Sequence, residues 1–583
     1  MINKKLNNNH KPPFLAELLL KFFFPDNGKY TTIGDLYESY NYIFNKEGSF
    51  KAKFWYTAQV YKSIVPLFLN LIFWGKDMLT NYIKLAWRNF KKYKTHSAIN
   101  LIGLTFGIAV SVIILLFTID EMNFDKFNLK YERISRIITE QSLENSDTRL
   151  YPYTGGIVGK TLVEDYPEVE SHVNIIDRNV FGRFLVQRGD FKHHEADYLI
   201  AEPSFFQVFD FEILKGSRDN LLVNPNEVVL TETSSKMFFG DEDPVGKILQ
   251  TNRYWGDLKV TGVVKNPPAN SHMQFSMLIS YNTIWASDKE RLQVLNNWDV
   301  SVVGTYLLFN SKQNMEAFDS KLKGFIEKHK SKSFGTKKII HLQPLADVHF
   351  GSNNYETDLN YGARNIATIY VLGIIGFFIV LSACINYSNL SIARYFNRAK
   401  EIGMRKVVGA TKSQLFSQIL SESIFMTILS VLLSLGLVLL ILPTFNTYLE
   451  KNLSLTSVNS ILLLSLLISL ALIVGIISGS LPAFLLTKLK TVSLMKMNLK
   501  PGNSISILKK SLVVLQFVIS IIMIFATITV YHQLNFIKNK NLGFNKEQML
   551  IIDINSDDAR SSFQSMKSEF LKSNKVSKVS VKQ

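Results

Sequence analysis

The stretch NIATIYVLGIIGFFIVLSACINYSNLSIARYFNRAKEIGMRKVVGATKSQL, residues 365–415, changes from apolar to basic near its middle. Residues 366–390 carry no charge, and a helix of about 20 apolar residues crosses the ~30 Å hydrocarbon core of a bilayer. The basic residues that follow are Arg394, Arg398, Lys400, Arg405, Lys406 and Lys412, and Glu401 lies among them. Because such blocks flank spans on the cytoplasmic side, the stretch predicts a membrane span that leads into a basic cytoplasmic helix.

The basic segment 393–408 is predicted to be one helix that ends at Gly409 and Ala410, because Gly is a poor helix former and a common helix stop. Thr411 and Gln414 then have the spacing of a capping box, which begins a new helix. We therefore expect a cytoplasmic elbow between two membrane spans.

The composition favours several domains in a membrane protein. The chain has 583 residues and a formal net charge of +17. The basic residues cluster beside apolar spans rather than among surface aromatics, so we do not expect a nucleic-acid partner. Cys384 is the single cysteine and lies in a predicted span, which excludes a disulfide within one chain.

The apolar segments predict about five spans, at residues 97–119, 366–390, 415–442, 461–486 and 511–531, the third ending at Pro443. Basic residues before the first span, in the elbow and at 488–510 place the N-terminus and these loops in the cytoplasm. Residues 120–365 therefore lie on the outer side. Lys538 and Lys540, which follow the fifth span on its predicted outer side, are a weak conflict.

The predicted domain order has six parts. They are a small helical cytoplasmic module (1–76), a basic juxtamembrane helix with the first span (77–119), a large outer domain (120–365), spans two to four with the elbow (366–490), a cytoplasmic loop with the fifth span (491–531) and the start of a second outer domain (532–583).

The outer domain 120–365 is predicted to be α+β. Strand-like runs are Glu227–Leu230, Leu258–Val264, Thr305–Phe309 and Lys338–Leu342, and a helix is predicted at Met315–Lys330. Basic residues, an apolar span and a polar segment occur at 84–121 and again at 509–540. This echo predicts a duplicated architecture that is truncated in its second repeat.

Two pairs of glycines in the spans, Gly103 with Gly107 and Gly475 with Gly479, have GxxxG spacing. Small residues four apart allow two helices to approach closely. Packing within one chain and contact with a second copy are both compatible with this spacing.

No catalytic, cofactor or metal site is predicted. Residues 155–161 and 240–247 resemble P-loops, but their glycine spacings are one residue short and one residue long. His193 and His194 are interpreted as part of a solvated loop, and His272 and His349 are isolated in the sequence. The spans have no charge at mid-depth, which argues against an ion-coupled carrier.

One acid, Glu422, lies near the cytoplasmic end of its predicted span. At that depth it can reach water or a basic neighbour.

Glu401–Ser423, EIGMRKVVGATKSQLFSQILSES, resembles the signature of MacB/FtsX-type ABC transporter permeases. FFGDEDPVGK at Phe238–Lys247, EDYPEVES at Glu164–Ser171 and FDKFNLKYERISRI at Phe124–Ile137 resemble the MacB-like periplasmic core. The N-terminal segments PPFLAELLLKFF, GDLYESY and FWYTAQV resemble the permease prefix module of duplicated members.

The resemblance implies a polytopic protein of the bacterial inner membrane, with residues 120–365 in the periplasm as a MacB-like core domain. ATP would bind a separate ABC ATPase subunit, and a second permease copy or repeat would complete the transporter. The implied activity is mechanotransmission that exports an antimicrobial, lipoprotein or peptide, with a membrane-fusion protein and an outer-membrane channel as further partners. The alternative is a non-transporting FtsX-like signalling scaffold that regulates an envelope enzyme.

By the same resemblance the helix 393–408 docks the ATPase. The residues assigned to this element are Arg394, Arg398, Glu401, Gly403, Arg405, Lys406, Gly409 and Ala410. Its basic residues would pair with acids of the ATPase. The alternative is that they anchor the span to anionic membrane lipid, each contributing ~1 kcal/mol.

Overall fold

The computed structural model describes residues 12–13, 29–143, 148–177, 180–195, 197–251, 255–287, 297–298, 300–322, 325–329, 336–352, 355, 358, 363–449, 451–456, 458–488, 503–540, 549–550, 552 and 561–580. Most of the N-terminal segment PPFLAELLLKFF and the basic residues of the predicted cytoplasmic loop between 489 and 502 lie outside this set.

The described residues form two compact units. Unit 1 comprises Met1–Val110, Phe378–Leu439 and Ser460–Met523, and unit 2 comprises Ser111–Phe377, Leu440–Asn459 and Ile524–Gln583. Unit 1 is helical, and unit 2 contains the β-sheet.

The helices in chain order are α1 (Lys29–Glu47), α2 (Ser49–Lys92), α3 (Lys94–Met122), α4 (Ile157–Asp165), α5 (Phe205–Val208), α6 (Glu232–Phe239), α7 (Asn282–Ser287), α8 (Lys312–Leu322), α9 (Phe325–His329), α10 (Leu345–Gly351), α11 (Ile366–Asn397), α12 (Ala399–Val407), α13 (Lys412–Leu449), α14 (Ser460–Lys488), α15 (Asn503–Asn539) and α16 (Phe563–Leu571).

The strands are β1 (Ile134–Leu143), β2 (Arg149–Tyr151), β3 (Val169–Asp177), β4 (Phe184–Arg188), β5 (Phe191–Glu195), β6 (Tyr198–Ala201), β7 (Ile213–Lys215), β8 (Glu227–Thr231), β9 (Ile248–Thr251), β10 (Leu258–Val264), β11 (Met277–Ser280), β12 (Gly304–Phe309) and β13 (Thr336–Pro344).

Five helices of the described chain are long and apolar enough to cross a membrane: α3, α11, α13, α14 and α15. They confirm the five predicted spans. The third span does not stop at Pro443, because α13 continues to Leu449. Pro443 lacks the N–H that would donate to the Leu439 carbonyl, a loss that membrane helices tolerate.

The N-terminal region differs in detail from the expectation. A single helix, α2, covers 44 residues and runs through the apolar segment 64–74 and through the predicted domain boundary at residue 76. Helix α1 packs on its first half, with Tyr40 and Tyr56 buried between them and their rings 5.5 Å apart.

The predicted continuous helix 393–408 is two helices. Arg398, with φ −102° and ψ 10°, separates α11 from α12, so Arg394 belongs to the long helix and not to the short one. The capping box is confirmed, because Gln414 N–H donates to Thr411 Oγ1 at 3.3 Å and Thr411 N–H donates to Gln414 Oε1 at 3.0 Å.

The β-strands form one mixed sheet in the order β13-β1-β12-β3-β6-β11-β8-β10-β9-β4-β5, with β2 on β1 and β7 on β10. The four predicted strands correspond to β8, β10, β12 and β13. Within the predicted helix Met315–Lys330, the described residues 315–322 and 325–329 are helical, in α8 and α9. His193 and His194 lie on the edge strand β5, so their interpretation as a loop was wrong.

The central strands are buried on both faces. In β8, Val229 belongs to one hydrophobic cluster while Val228 and Leu230 belong to another. In β11, Leu278 and Ile279 divide in the same way. Successive side chains of a strand point to opposite faces, which explains why these strands read as unbroken apolar runs.

Candidate functional site

The elbow is built around a buried carboxylate in α13. Glu422 pairs with Arg394 of α11 and accepts a hydrogen bond from the Tyr395 hydroxyl at 2.9 Å. Arg398 Nη1 lies 4.0 Å from the same carboxylate. Burying an unpaired carboxylate is costly, so the arginines at the end of α11 neutralise the acid of the next span. Of the two sequence-based possibilities for Glu422, the structure shows the basic neighbour.

A second acid extends this arrangement onto α12. Glu401 receives two hydrogen bonds from Arg398, at 3.0 and 3.1 Å, and one from Arg405 at 2.9 Å. The hydrogen bond from Arg398 holds the pKa of Glu401 below its usual range. Arg405 also donates to Gln418 of α13 at 2.7 Å. The charges therefore connect α11, α12 and α13.

Lys406 ties α12 to a third helix. Its Nζ donates to the Thr487 carbonyl in α14 at 3.1 Å. Partial burial lowers the pKa of Lys406. The carbonyls in the last turn of a helix lack intrahelical donors, and Lys406 satisfies one of them.

The predicted docking charges are thus engaged within the chain. Arg394, near the end of α11, and Arg398, which follows that helix, are buried beside Glu422. Arg405 and Lys406 are half-buried. Docking of an external partner on these four bases stays a prediction.

Among the described side chains of residues 401–408, the exposed ones are apolar. Met404, Val407 and Val408 are 56%, 63% and 88% exposed. Their i, i+3 and i+4 spacing puts them on one face of the helix. We call these three residues the apolar tip. The sequence analysis did not predict the apolar tip, although the apolar residues on either side of Arg405 and Lys406 indicated an apolar surface there.

Backbone geometry ends α12 as expected. Gly409 has φ +104°, which L side chains rarely adopt, and Ala410 N–H donates to the Arg405 carbonyl at 2.9 Å. Gly403 is buried. Glycine is favoured at the helix end because it adopts positive φ without a Cβ penalty.

Both glycine pairs face helices of the same chain. A Cβ on Gly107 would lie 3.0 Å from Ala383 Cβ of α11, and one on Gly103 would lie 3.5 Å from the Asn386 amide. Cβ atoms on Gly475 and Gly479 would meet α13 at 2.9 and 2.6 Å. The glycines therefore allow close packing within one chain.

Unit 2 contains a buried chain of polar side chains that sequence reasoning missed. His272 Nδ1 lies 2.8 Å from Asp125 Oδ1, and its Nε2 lies 2.8 Å from the Tyr306 hydroxyl. Asp125 follows α3, while His272 lies in a loop 147 residues later. Adjacent spacing along the sequence could not reveal this pairing.

A half-buried pair, His172 and Glu202, has shifted pKa values. His172 Nε2 lies 3.4 Å from Glu202 Oε2. Burial raises the pKa of Glu202 to about 7, although Asn174 donates to it, and burial lowers the pKa of His172 to about 4. Both shifts favour the neutral forms over an ion pair. Among the described residues, no three His, Cys, Asp or Glu side chains are grouped as metal ligands.

Two family models match different parts of the chain. The model of the MacB-like periplasmic core domain matches residues 97–325, and the model of the FtsX-like permease C-terminal domain matches residues 373–491. A region similar to a MacB-like periplasmic core thus precedes a region similar to an FtsX-like permease domain. The FtsX-like match contains the elbow and the apolar tip of this chain.

Proteins similar to this chain share low sequence identity with it. The macrolide export ATP-binding/permease protein MacB of Pasteurella multocida is 22% identical over 50% of this chain and 41% of its own length. The ABC transporter permease YknZ of Bacillus subtilis is 24% identical over 38% of this chain and 50% of its own. The chain thus spans at most half the length of these relatives.

A crystal structure of a domain of a permease protein from Porphyromonas gingivalis is similar to part of this chain. It covers 37% of this chain and 91% of its own, with 22% identity and a TM-score of 0.33.

Proposed function

We propose that this chain is the permease subunit of an ABC transporter in which a separate ATPase drives a conformational change of the domain 120–365 and the export of a substrate. The supporting observation is the elbow, where an exposed apolar tip is held by hydrogen bonds of Glu401, Arg405 and Lys406. A rigid element with an exposed apolar end suits the transfer of force from a partner. ATP binds that partner and not this chain.

The elbow docks through its apolar tip. The bases that we expected to pair with the ATPase instead fix α12 to α11, α13 and α14. Exposed apolar side chains rimmed by polar residues mark protein contacts. Met404, Val407 and Val408 would enter an apolar groove of the ATPase, and anchoring to lipid through Arg394 and Arg398 is disfavoured by their burial.

Disruption of the tip tests this proposal. Val407→Glu with Val408→Glu places two charges on the docking face and changes no buried contact of the elbow. We expect the ATPase that co-purifies with the wild-type chain from native membranes to be lost. Lys412→Glu and Ser413→Glu, at exposed positions just beyond the elbow, are matched controls that keep the ATPase.

Two results bear on the proposal. Co-purification of the ATPase with the Val407→Glu, Val408→Glu variant at the wild-type level contradicts docking through the tip. Membrane insertion is checked separately with cysteines at the exposed positions Leu129 and Ser413 in a Cys384→Ala background. An impermeant thiol reagent on spheroplasts should label position 129 only, because we place residues 120–365 in the periplasm of an inner-membrane protein.

The substrate class follows from the relatives only as a proposal. MacB relatives are named for macrolide export, and antimicrobials, lipoproteins and peptides are the candidates that we propose for this chain, with a membrane-fusion protein, an outer-membrane channel and a second permease copy as partners. A signalling scaffold that regulates an envelope enzyme would share the FtsX-like domain. Purification of the complex with a cell-wall hydrolase, rather than with a membrane-fusion protein, favours the scaffold.

A further inference from the structure

A second charged cluster lies in unit 2, where α3 enters the sheet domain. Its centre is Glu121, which is fully buried. Three basic side chains from separate parts of the chain contact this carboxylate: His349 in α10, Arg364 before α11, and Lys451 in the loop between α13 and α14. We call these four residues, with Asp120, the outer clasp.

Lys451 is the member of the outer clasp that comes from the membrane-helix loop. Its Nζ lies 2.9 Å from Asp120 Oδ2 and 3.1 Å from Glu121 Oε1. The same ammonium group lies 5.2 Å from the centre of the Phe124 ring. The Phe124 ring in turn stacks on His349 at 3.6 Å.

The loop that carries Lys451 is held in shape by Asn446. The Asn446 amide donates to the Leu453 carbonyl at 2.8 Å and accepts from Leu453 N–H at 3.0 Å. Lys451 N–H donates to the Asn446 carbonyl at 3.1 Å. The lysine is thus presented from a fixed loop and is itself buried.

The charges of the outer clasp balance. Asp120 and Glu121 supply two negative charges, and Arg364 and Lys451 supply two positive charges, with His349 as a further donor to Glu121. Buried charges that lose one partner are strongly destabilised, whereas removal of both partners is often tolerated. Charge balance and tethering can therefore be separated by mutation.

We propose that Lys451 is the positioning residue through which α13 and α14 move the sheet domain. The chain runs from the elbow along α13 to this loop. Through Glu121 the loop contacts both connections of the sheet domain to its spans, α3 at the entry and Arg364 at the exit. The loop and the base of the domain then move as one body. This role rests on the proposed function, but the tether itself does not.

The tether is tested with spin labels on the full chain in lipid nanodiscs. Exposed Leu129 and Thr456 are replaced by cysteine in the Cys384→Ala background, and the distance distribution between the two labels is measured. We expect a narrow distribution in the parent protein and in Lys451→Arg. Lys451→Met should broaden it and lower the melting temperature. Lys126→Met, at an exposed position near the clasp, is the matched control.

The double variant Asp120→Asn, Lys451→Met distinguishes tethering from charge balance. It restores neutrality without restoring the link, so the melting temperature should recover while the distribution stays broad. If the distribution becomes narrow again, Lys451 only balances charge and the proposal is overturned. A narrow distribution in Lys451→Met also overturns it.

The role in transmission is measured with the co-purified ATPase. ATP and vanadate should change the fluorescence of a label at Leu129→Cys, and the double variant should lose most of this change while ATP hydrolysis persists. A retained change overturns the transmission role. Failure of any ATPase to co-purify counts against the proposed function instead, and the spin-label result still decides whether the clasp is a tether.

Discussion

Removal of the carboxylate of Glu422 should open the helical unit. Glu422→Gln keeps the shape of the side chain but leaves Arg394 buried without its anion. Arg394 then retains only the ring of Tyr395, whose centre lies 4.8 Å from the guanidinium, and that of Tyr93 at 6.0 Å, among its described partners. Arg398 keeps its two hydrogen bonds to Glu401.

The magnitude follows from this asymmetry. One buried cation loses its counter-charge, and breaking a buried pair by removing one partner costs about 3–5 kcal/mol. A factor of ten in an equilibrium corresponds to about 1.4 kcal/mol. The population of opened molecules should therefore rise by about a hundredfold to a few thousandfold. Glu422→Leu with Arg394→Met removes both charges and should cost much less, because neutral replacement of a buried pair is often tolerated.

Cys384 provides the assay. It is the single cysteine, it is buried in α11, and it lies in the same unit as Glu422. Its rate of reaction with N-ethylmaleimide in detergent reports transient opening of the helices, at fixed pH. We expect the rate to rise with Glu422→Gln in proportion to the opened population and to return towards the wild-type value in the double variant.

Glu401→Gln is the matched control, because Glu401 is partly exposed and bonds Arg398, which also lies 4.0 Å from Glu422. Pairs of that kind contribute about 0–1 kcal/mol, so the rate should rise less than about fivefold. The reasoning is refuted if Glu422→Gln and Glu401→Gln have equal rates, or if the double variant reacts as fast as Glu422→Gln.

Three further predictions concern single positions. Gly479→Val should destabilise the helical unit by about 1–3 kcal/mol, because a Cβ at this position would lie 2.6 Å from α13. Gly436→Val is the control and should not destabilise it, because a Cβ there meets nothing within 4 Å. The reaction rate of Cys384 measures both variants. Gly409→Ala should reduce ATPase co-purification without changing that reactivity, because φ +104° strains a Cβ by about 1–3 kcal/mol at the elbow end only. In unit 2, Glu202→Gln should make the melting temperature rise as pH rises from 4 to 6.5. Burial lowers the pKa of His172 to about 4, so across this range the histidine binds a proton more readily in the unfolded chain, and raising the pH removes that advantage of the unfolded state. His172→Asn should instead make the melting temperature fall from pH 4.5 to 7, because burial raises the pKa of Glu202 to about 7. In each variant the free energy of unfolding should change by at most about 3 kcal/mol over its pH range. Equal pH dependences of the melting temperature in the two variants contradict these opposite pKa shifts.

The sequence predicted features whose signals are local. The five spans follow from apolar length, the strands β8, β10 and β12 from β-rich runs, and the start of α13 from a capping box within four residues. Each signal lies within one element, so it does not depend on how the elements pack. The division of the basic helix at Arg398 has no such signal, because every residue around it is compatible with a helix.

The partners of the charged residues could not be predicted in this way. His349 and His272 looked isolated because Glu121 and Asp125 precede them by 228 and 147 residues. The topology of the sheet brings these residues together. A buried histidine beside an acid is therefore visible only after the fold is known.

The elbow shows why a basic block is not by itself a docking surface. Six basic residues near a span indicate the cytoplasmic side, but Glu422 at the start of the next span creates a demand for positive charge inside the bundle. Arg394 and Arg398 are the arginines nearest to Glu422, and both are buried beside it. Among the described side chains of residues 401–408, Met404, Val407 and Val408 are the exposed ones. The ion pairs and hydrogen bonds of the elbow join α11, α12 and α13. In the function that we propose, a partner that docks on the apolar tip would therefore move the three helices together. A basic helix joined to the bundle at one end only would not transmit this movement.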